Sequence, residues 1–349
     1  MKRFSLPYGI SQRLITCWRA VALSLPVLVL GAASPCGAAS LFLSGTDDNV
    51  LYRYDVEPTG TPVLSASIAT PAPSGIAFSP AGELFVANTP SLSRGGALVL
   101  GTVSRFLDPL GTLLAHGTIS GLSKEVEELL FRQGELLVVN QGAANIARFA
   151  FDGAQSASPN GVITGLSTNE RGIAWNPATD EIFVSRCCGS NRIDRFVFDS
   201  SGHASPNGTI TGGGLSSPHG MAFSPWGELF VANGASDSIS RFSFDALGHA
   251  SLSGTITGIG LDIPIGLRFS PWGELFVANE ETSAVSRWTF DVSHNAIANG
   301  SFTTPASRLN WLEFAPSAPL STPEPSSLGL FVVATLALAC VLAKGRQLS

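Results

Sequence analysis

Chemistry in this chain is carried by a few recurring columns and by the residues that break them. An arginine recurs as Arg53, Arg105, Arg148, Arg195, Arg241 and Arg287, each followed by an aromatic, and glutamates recur as Glu83, Glu135, Glu181, Glu228 and Glu274. Six guanidinium groups in a ring could bind a polyanion. A charge present in every unit is more simply half of an ion pair or hydrogen bond between neighbouring strands or units. Asn88, Asn140, Asn233 and Asn279 form a third column, either a ring of amides for sugar hydroxyls or four turn residues following a strand. The aspartates at 55, 108, 152, 199, 245 and 291 read as turn residues bonding their own backbone. Glu127, Arg171, His219 and Asn310 depart from their columns and are the candidate ligand contacts, with Glu128, Glu280 and Glu281 nearby. Cys187 and Cys188 are adjacent, and in an oxidising compartment they read first as a vicinal disulfide, then as a metal pair, then as two free thiols.

The columns exist because the chain repeats. SPWGELFVAN occurs at 224–233 and again, unchanged, at 270–279; related units read GIAFSPAGELFVAN at 75–88, ELLFRQGELLVVN at 128–140 and GIAWNPATDEIFVSR at 172–186. Half-units remain at the ends, LFLSG at 41–45 and NWLEFAP at 310–316. Aligned on the first segment the column reads Phe78, Leu130, Trp175, Phe223, Phe269 and Phe314; on the second, Phe42, Phe85, Leu137, Phe183, Phe230 and Phe276. Six members in each, offset at the termini, predict a ring whose joining unit is built from both ends of the chain. Each unit reads as four short strands with Pro and Gly at the first turn, and a period of about 45 residues with four strands is the signature of a propeller blade. The predicted fold is all-β, a six-bladed β-propeller closed by pairing of its N- and C-terminal strands.

Such blades place their loops on two faces. One face collects the residue before each first strand, namely Ser74, Val126, Arg171, His219, Ile265 and Asn310, with the asparagines that end the second strands and Cys187-Cys188. The SPWGE-type turns open on the other. In the column Ala77, Leu129, Ala174, Ala222, Arg268, Glu313, the last two carry opposite charges in adjacent units, which predicts a pair near the channel because a lone buried charge is expensive.

The ends read as addresses. Residues 1–39 carry Lys2, Arg3, Arg13 and Arg19, an apolar run from Ala20 to Ala33 and small residues up to Ala39, the pattern of a signal peptide. Residues 40–316 form the propeller, 317–327 a Pro/Ser-rich linker, and 328–349 an apolar run with a basic tail. That run, Leu328 to Ala343, reads as a transmembrane helix slightly short for a hydrocarbon core of roughly 30 Å. With 13% charged residues and a net charge of −6 there is no basic patch to argue for nucleic acid.

Two resemblances follow from these residues. Units of the form P-x-G-I-A-x-x-x-x-G-x-L-x-V-A resemble the six-bladed propellers of the NHL, gluconolactonase and streptogramin-lyase group. That resemblance implies an inner ring where a divalent cation, such as calcium, or a catalytic histidine sits. His219, in Ser217-Pro218-His219-Gly220, matches the lyase-like wording, and Glu127, His219 and Asn310 are the positions that could hold a cation. Ser74, Val126, Arg171 and Ile265 depart from such a site, since calcium wants several converging oxygens. At the other end, Pro323-Glu324-Pro325 followed by the apolar run, Lys344 and Arg346 resembles the PEP-CTERM sorting signal. It implies a Gram-negative-type bacterium, an exosortase-type processing partner, a membrane stage and exopolysaccharide production nearby. Fold does not fix function. The expected role is a binding or structural module at the cell surface or in the extracellular matrix, contacting polysaccharide or protein. The alternative is a metal-dependent lactonase- or lyase-type enzyme using His219, Glu127 and Asn310.

Overall fold

Runs of four to eight residues, most of them rich in β-branched and aromatic side chains and bounded by Gly, Pro, Asn and Asp, form 24 strands in a computed structural model that describes residues 37–89, 100–123, 125–152, 156–258 and 260–316. All belong to one of the two units into which the chain divides, Gly37–Ser349. The expected signal peptide core and lipid-facing segment, and the Pro323-Glu324-Pro325 motif, lie outside the described residues. The strands make six antiparallel four-stranded sheets. Five follow chain order from the channel outward, as in Pro218–Phe223, Leu229–Asn233, Ser238–Phe244 and Ala250–Ile256. The sixth is built from both ends: Leu309–Phe314 is innermost and pairs with Ala39–Gly45, with Leu41 opposite Phe314 and Leu43 opposite Leu312. The ring therefore closes as the half-units predict, and the pairing removes two sheet edges.

The core lies between blades. Each of six apolar clusters joins two adjacent sheets; one combines Phe85 and Val103 with Leu136, Val138 and Phe149 of the following blade. The second-strand column, Phe42, Phe85, Leu137, Phe183, Phe230 and Phe276, is fully buried. Burial of each such side chain stabilises the fold by roughly 1.5–3 kcal/mol.

The arginine column is structural. Arg105 bonds Glu83 through two parallel contacts of 2.8 and 3.1 Å, and Arg148, Arg195 and Arg287 repeat this with Glu135, Glu181 and Glu274. Arg241 pairs with Glu228. Carboxylate and guanidinium face each other across the second and third strands, while Arg195 Nη1 also donates to the Gly248 carbonyl, and Arg287 Nη1 to that of Gly60, in the next blade. Arg53 has no glutamate opposite it; it donates to Ser65 and to the Pro109 carbonyl. The aspartate column accepts backbone N–H groups of its own turns, as at Asp199, Asp245 and Asp291.

One alignment needs correction. In the third blade Leu129, Leu130 and Phe131 stand opposite Val138, Leu137 and Leu136, just as Ile76, Ala77 and Phe78 stand opposite Val86, Phe85 and Leu84. Phe131, not Leu130, belongs to the first aromatic column, and Glu127, not Val126, to the channel-mouth column. The cause is the hairpin Arg132-Gln133-Gly134-Glu135, a two-residue turn with positive φ at Gln133 and Gly134. It is one residue shorter than the Ser-Pro-x-Gly-Glu turn, so counting back from the glycine misplaces every residue of Leu129–Arg132 by one.

Candidate functional site

In five of the six blades the innermost strand slips register against its neighbour near the channel, between Pro73 and Ile76, Glu170 and Ile173, Pro218 and Met221, Pro264 and Leu267, and Leu309 and Leu312, and in the third blade Glu127 and Glu128 both bond Val139. Such bulges re-aim side chains. Here they place Ser74, Glu127, Arg171, His219, Ile265 and Asn310 around one mouth. The next residue inward is glycine in four blades because adjacent strands nearly touch: a Cβ on Gly75 would lie 2.2 Å from the Glu127 carbonyl, and one on Gly220 would lie 2.4 Å from that of Ile265. In the two remaining blades this place is taken by Glu128 and Trp311, whose side chains fill the channel.

At the mouth, Arg171 is fixed from two sides. Its Nη1 donates to Glu127 Oε1, and its Nε lies 3.5 Å from Cys187 Sγ. Cys187 and Cys188 are joined as a vicinal disulfide, with Cys187 buried. The Arg171 side chain keeps 30% of its surface exposed, so the guanidinium faces the opening with Nη2 bonded to no protein acceptor among the described residues. Burial pushes the Glu127 carboxyl above its ordinary range, while Arg171 pulls the other way. His219 stands in the next blade, beside Arg171. Burial, then the Arg171 charge, depress its pKa to about 4, so the imidazole is neutral at physiological pH, with Nε2 at 3.3 Å from Ser217 Oγ. Its carbonyl accepts from Ser185 Oγ, which in turn accepts from Gly172 N–H, tying the two blades together.

The other expected residues have different partners. Asn310 Nδ2 donates to Thr46 Oγ1. The Asn140, Asn233 and Asn279 side chains are buried, and their oxygens accept from the backbone N–H of Ser123, Ser216 and Asp262 in the loops between blades. Asn88, with its amide turned to suit its surroundings, donates to the Pro71 carbonyl. These amides hold loops and offer little to a ligand. Glu127, His219 and Asn310 share the mouth, but each is engaged elsewhere, and among the described residues no three His, Cys, Asp or Glu side chains cluster as a metal site would need. The residues present do not fit a calcium ion.

Deeper in the channel lies a cluster only partly visible in the sequence. Arg268 Nε bonds Glu313 Oε2 at 2.7 Å, the pair expected from the opposite charges. Its Nη2 also bonds Glu128, and its Nη1 reaches the carbonyls of Met221 and Leu267. Glu128 Oε2 accepts the Ile173 N–H at 2.6 Å, so one network crosses the axis and touches five blades. The place of Glu128 in the channel was missed because the one-residue slip put Glu127 at the glycine position and Glu128 in the apolar column that follows it. Burial pushes its carboxyl up to about 7 against the pull of Arg268. Burial also opposes the Arg268 charge, but Glu313 and Glu128 together hold that guanidinium protonated.

No known family model and no curated protein matches this sequence. The fold does match solved structures. A periplasmic gluconolactonase from Pseudomonas aeruginosa superposes with a TM-score of 0.60 at 15% identity, over 81% of this chain and 100% of that one. A candidate 6-phosphogluconolactonase from Bacteroides fragilis gives 0.61 at 14%, over 81% and 99%. A chain in a nidogen–laminin complex gives 0.61 at 14%, over 80% and 99%. At these identities the likeness is one of fold.

Proposed function

We propose that the propeller binds a small carboxylate- or carbonyl-bearing ligand of the sugar-acid or lactone class at the mouth ringed by Glu127, Arg171 and His219. The observation that carries this reading is Arg171: Glu127 and Cys187 fix two of its nitrogens, and the third points into the opening as a ready donor to a carboxylate or carbonyl oxygen. Neutral His219 adds a polar ring without a competing charge. The gluconolactonases among the structural neighbours supply the choice of sugar acids over other carboxylates.

A second reading, lactone hydrolysis, is favoured by those same neighbours. In it Arg171 polarises the carbonyl oxygen and stabilises the oxyanion as water adds. His219 would have to take the water's proton, and with a pKa of about 4 it is a weak base at neutral pH. Binding is therefore the stronger conclusion. The test is calorimetry of the full-length chain in mild detergent with gluconate, with glucono-1,5-lactone and with uncharged sorbitol, alongside titrimetric hydrolysis with and without EDTA. Gluconate should bind and sorbitol should not, and Arg171→Met should weaken gluconate at least tenfold. Absence of gluconate binding overturns the first reading. Lactone opening above the buffer rate, lost in Arg171→Met and indifferent to EDTA, would establish the second.

We propose further that residues 1–39 direct export and that Pro323, Glu324 and Pro325 with the apolar run address the chain to an exosortase-type enzyme, leaving the propeller at the cell surface or in the matrix. Replacing Glu324 by Ala should shift the chain from the processed to the unprocessed form in fractionated cells; unchanged processing would refute the assignment.

A further inference from the structure

The opposite end of the channel is a funnel that the reading above does not use. It encloses about 740 Å³, within the range of small-molecule sites. The last or next-to-last residue of each innermost strand lines it, and with the third blade in its true register all six are aromatic: Phe78, Phe131, Trp175, Phe223, Phe269 and Phe314. Ala174 and Ala222 leave room between the rings and the floor, and the floor is Arg268 and Glu313.

The charges on that floor do not balance. Arg268 is one cation against two carboxylates, Glu313 and Glu128. Four of its five N–H groups are turned onto protein oxygens, namely Glu313, Glu128 and the Met221 and Leu267 carbonyls, so an arriving anion finds at most one spare N–H there. Glu128 is fully buried behind Arg268, whereas the Glu313 side chain retains 22% of its surface and borders the funnel. Glu313 accepts from Arg268 on one oxygen and from the Phe314 N–H on the other, which leaves each with further acceptor capacity. Above about pH 7, where Glu128 has lost its proton, the surplus is negative; its accessible carboxylate is Glu313, ringed by aromatic side chains whose faces attract cations.

We propose that this funnel is a binding site for an organic monocation, a protonated amine on a flat apolar body, whose ammonium group meets Glu313 and whose body lies among the aromatic rings. Such a ligand would neutralise the surplus carboxylate and displace water from the apolar wall in the same step. The mouth and the funnel lie at opposite ends of the plugged channel, so the two sites are independent.

The probe is 2-phenylethylammonium, titrated by calorimetry into the full-length chain, with 2-phenylethanol and phenylacetate as uncharged and anionic matches in shape. The cation should bind at least tenfold more tightly than either match, and Glu313→Gln should remove that preference. Ala222→Leu, which fills the funnel and leaves the charges in place, should abolish binding of all three and serves as the deciding variant if Glu313→Gln does not fold. Equal affinity for cation and alcohol, a cation preference that survives Glu313→Gln, or binding undiminished in Ala222→Leu would each overturn the proposal.

Discussion

Two sets of buried arginine–glutamate contacts run through this molecule and differ in kind. Between the second and third strands, five blades repeat one pair with matched charges, and four of the five are bidentate. In the channel a single arginine serves two glutamates drawn from distant parts of the sequence, and the result is overcharged. The first set is symmetric and electrically complete, which is what a scaffold element repeated blade by blade requires. The second breaks the symmetry and leaves a demand unmet, which is what a site requires. Repetition and departure thus separate architecture from candidate function better than residue type does.

The largest effect expected from breaking this contrast is at Arg268. Its replacement by Met strips Glu128 of its counter-charge and should cost about 3–5 kcal/mol at pH 8 by denaturant unfolding. At pH 5, where Glu128 carries a proton, the loss should shrink, and adding Glu128→Gln should recover much of it at pH 8. Strict additivity would show that the two side chains do not act as a unit. Next comes the ladder. Arg195→Met leaves Glu181, almost fully buried, with only Asn207 as a side-chain donor, and should cost about 2–3 kcal/mol by denaturant unfolding. Arg53→Met, in the blade without a glutamate, should cost less than about 1 kcal/mol. Equal losses at both positions would mean that the arginine stem and not the ion pair supports the ladder.

The pH profile of stability sharpens the contrast further. The folded pKa of Glu128 is raised from 4.5 to about 7, so the folded state holds a proton that the unfolded state releases, and stability falls as pH rises from about 4.5 to 7. For His219 the folded pKa is depressed from 6.5 to about 4, so stability falls as pH drops through that interval. The two slopes oppose each other where they overlap. Glu128→Gln should flatten the fall above pH 6.5, and His219→Asn the fall below about 4.5; each contribution is on the order of 3 kcal/mol over its whole interval, and less than about 1 kcal/mol of it lies outside the overlap. A wild-type profile unchanged by either substitution would sink both assignments.

The fold was legible because SPWGELFVAN repeats almost unchanged and because its two half-units sit at opposite ends. The opposite-charge pair Arg268–Glu313 was legible for the same reason, as a break in an otherwise apolar column. What escaped was the third blade. There the turn is a residue shorter, Pro is absent, and ELLFRQGELL offers leucines at either register, so hydrophobic pattern alone could not choose. That slip hid Glu128 in the channel and Phe131 in the aromatic ring, and with them the funnel. The asparagine column was readable only as an either–or, since a loop-tying amide and a ligand-binding amide look alike until their partners are known.

The strand that closes the ring also ends the described chain, and this gives the molecule a direction of mechanical weakness. Tension applied beyond Pro316 meets the terminal strand at its Phe314 end, where Ala315 N–H bonds the Ser40 carbonyl and Phe314 faces Leu41. In this antiparallel geometry the load falls on one hydrogen bond at a time, so the strand peels rather than shears. The first residues lifted include Glu313, one wall of the charged floor, and Trp311 follows. Traction at that terminus would empty the channel and open the ring while the other five sheets remained paired.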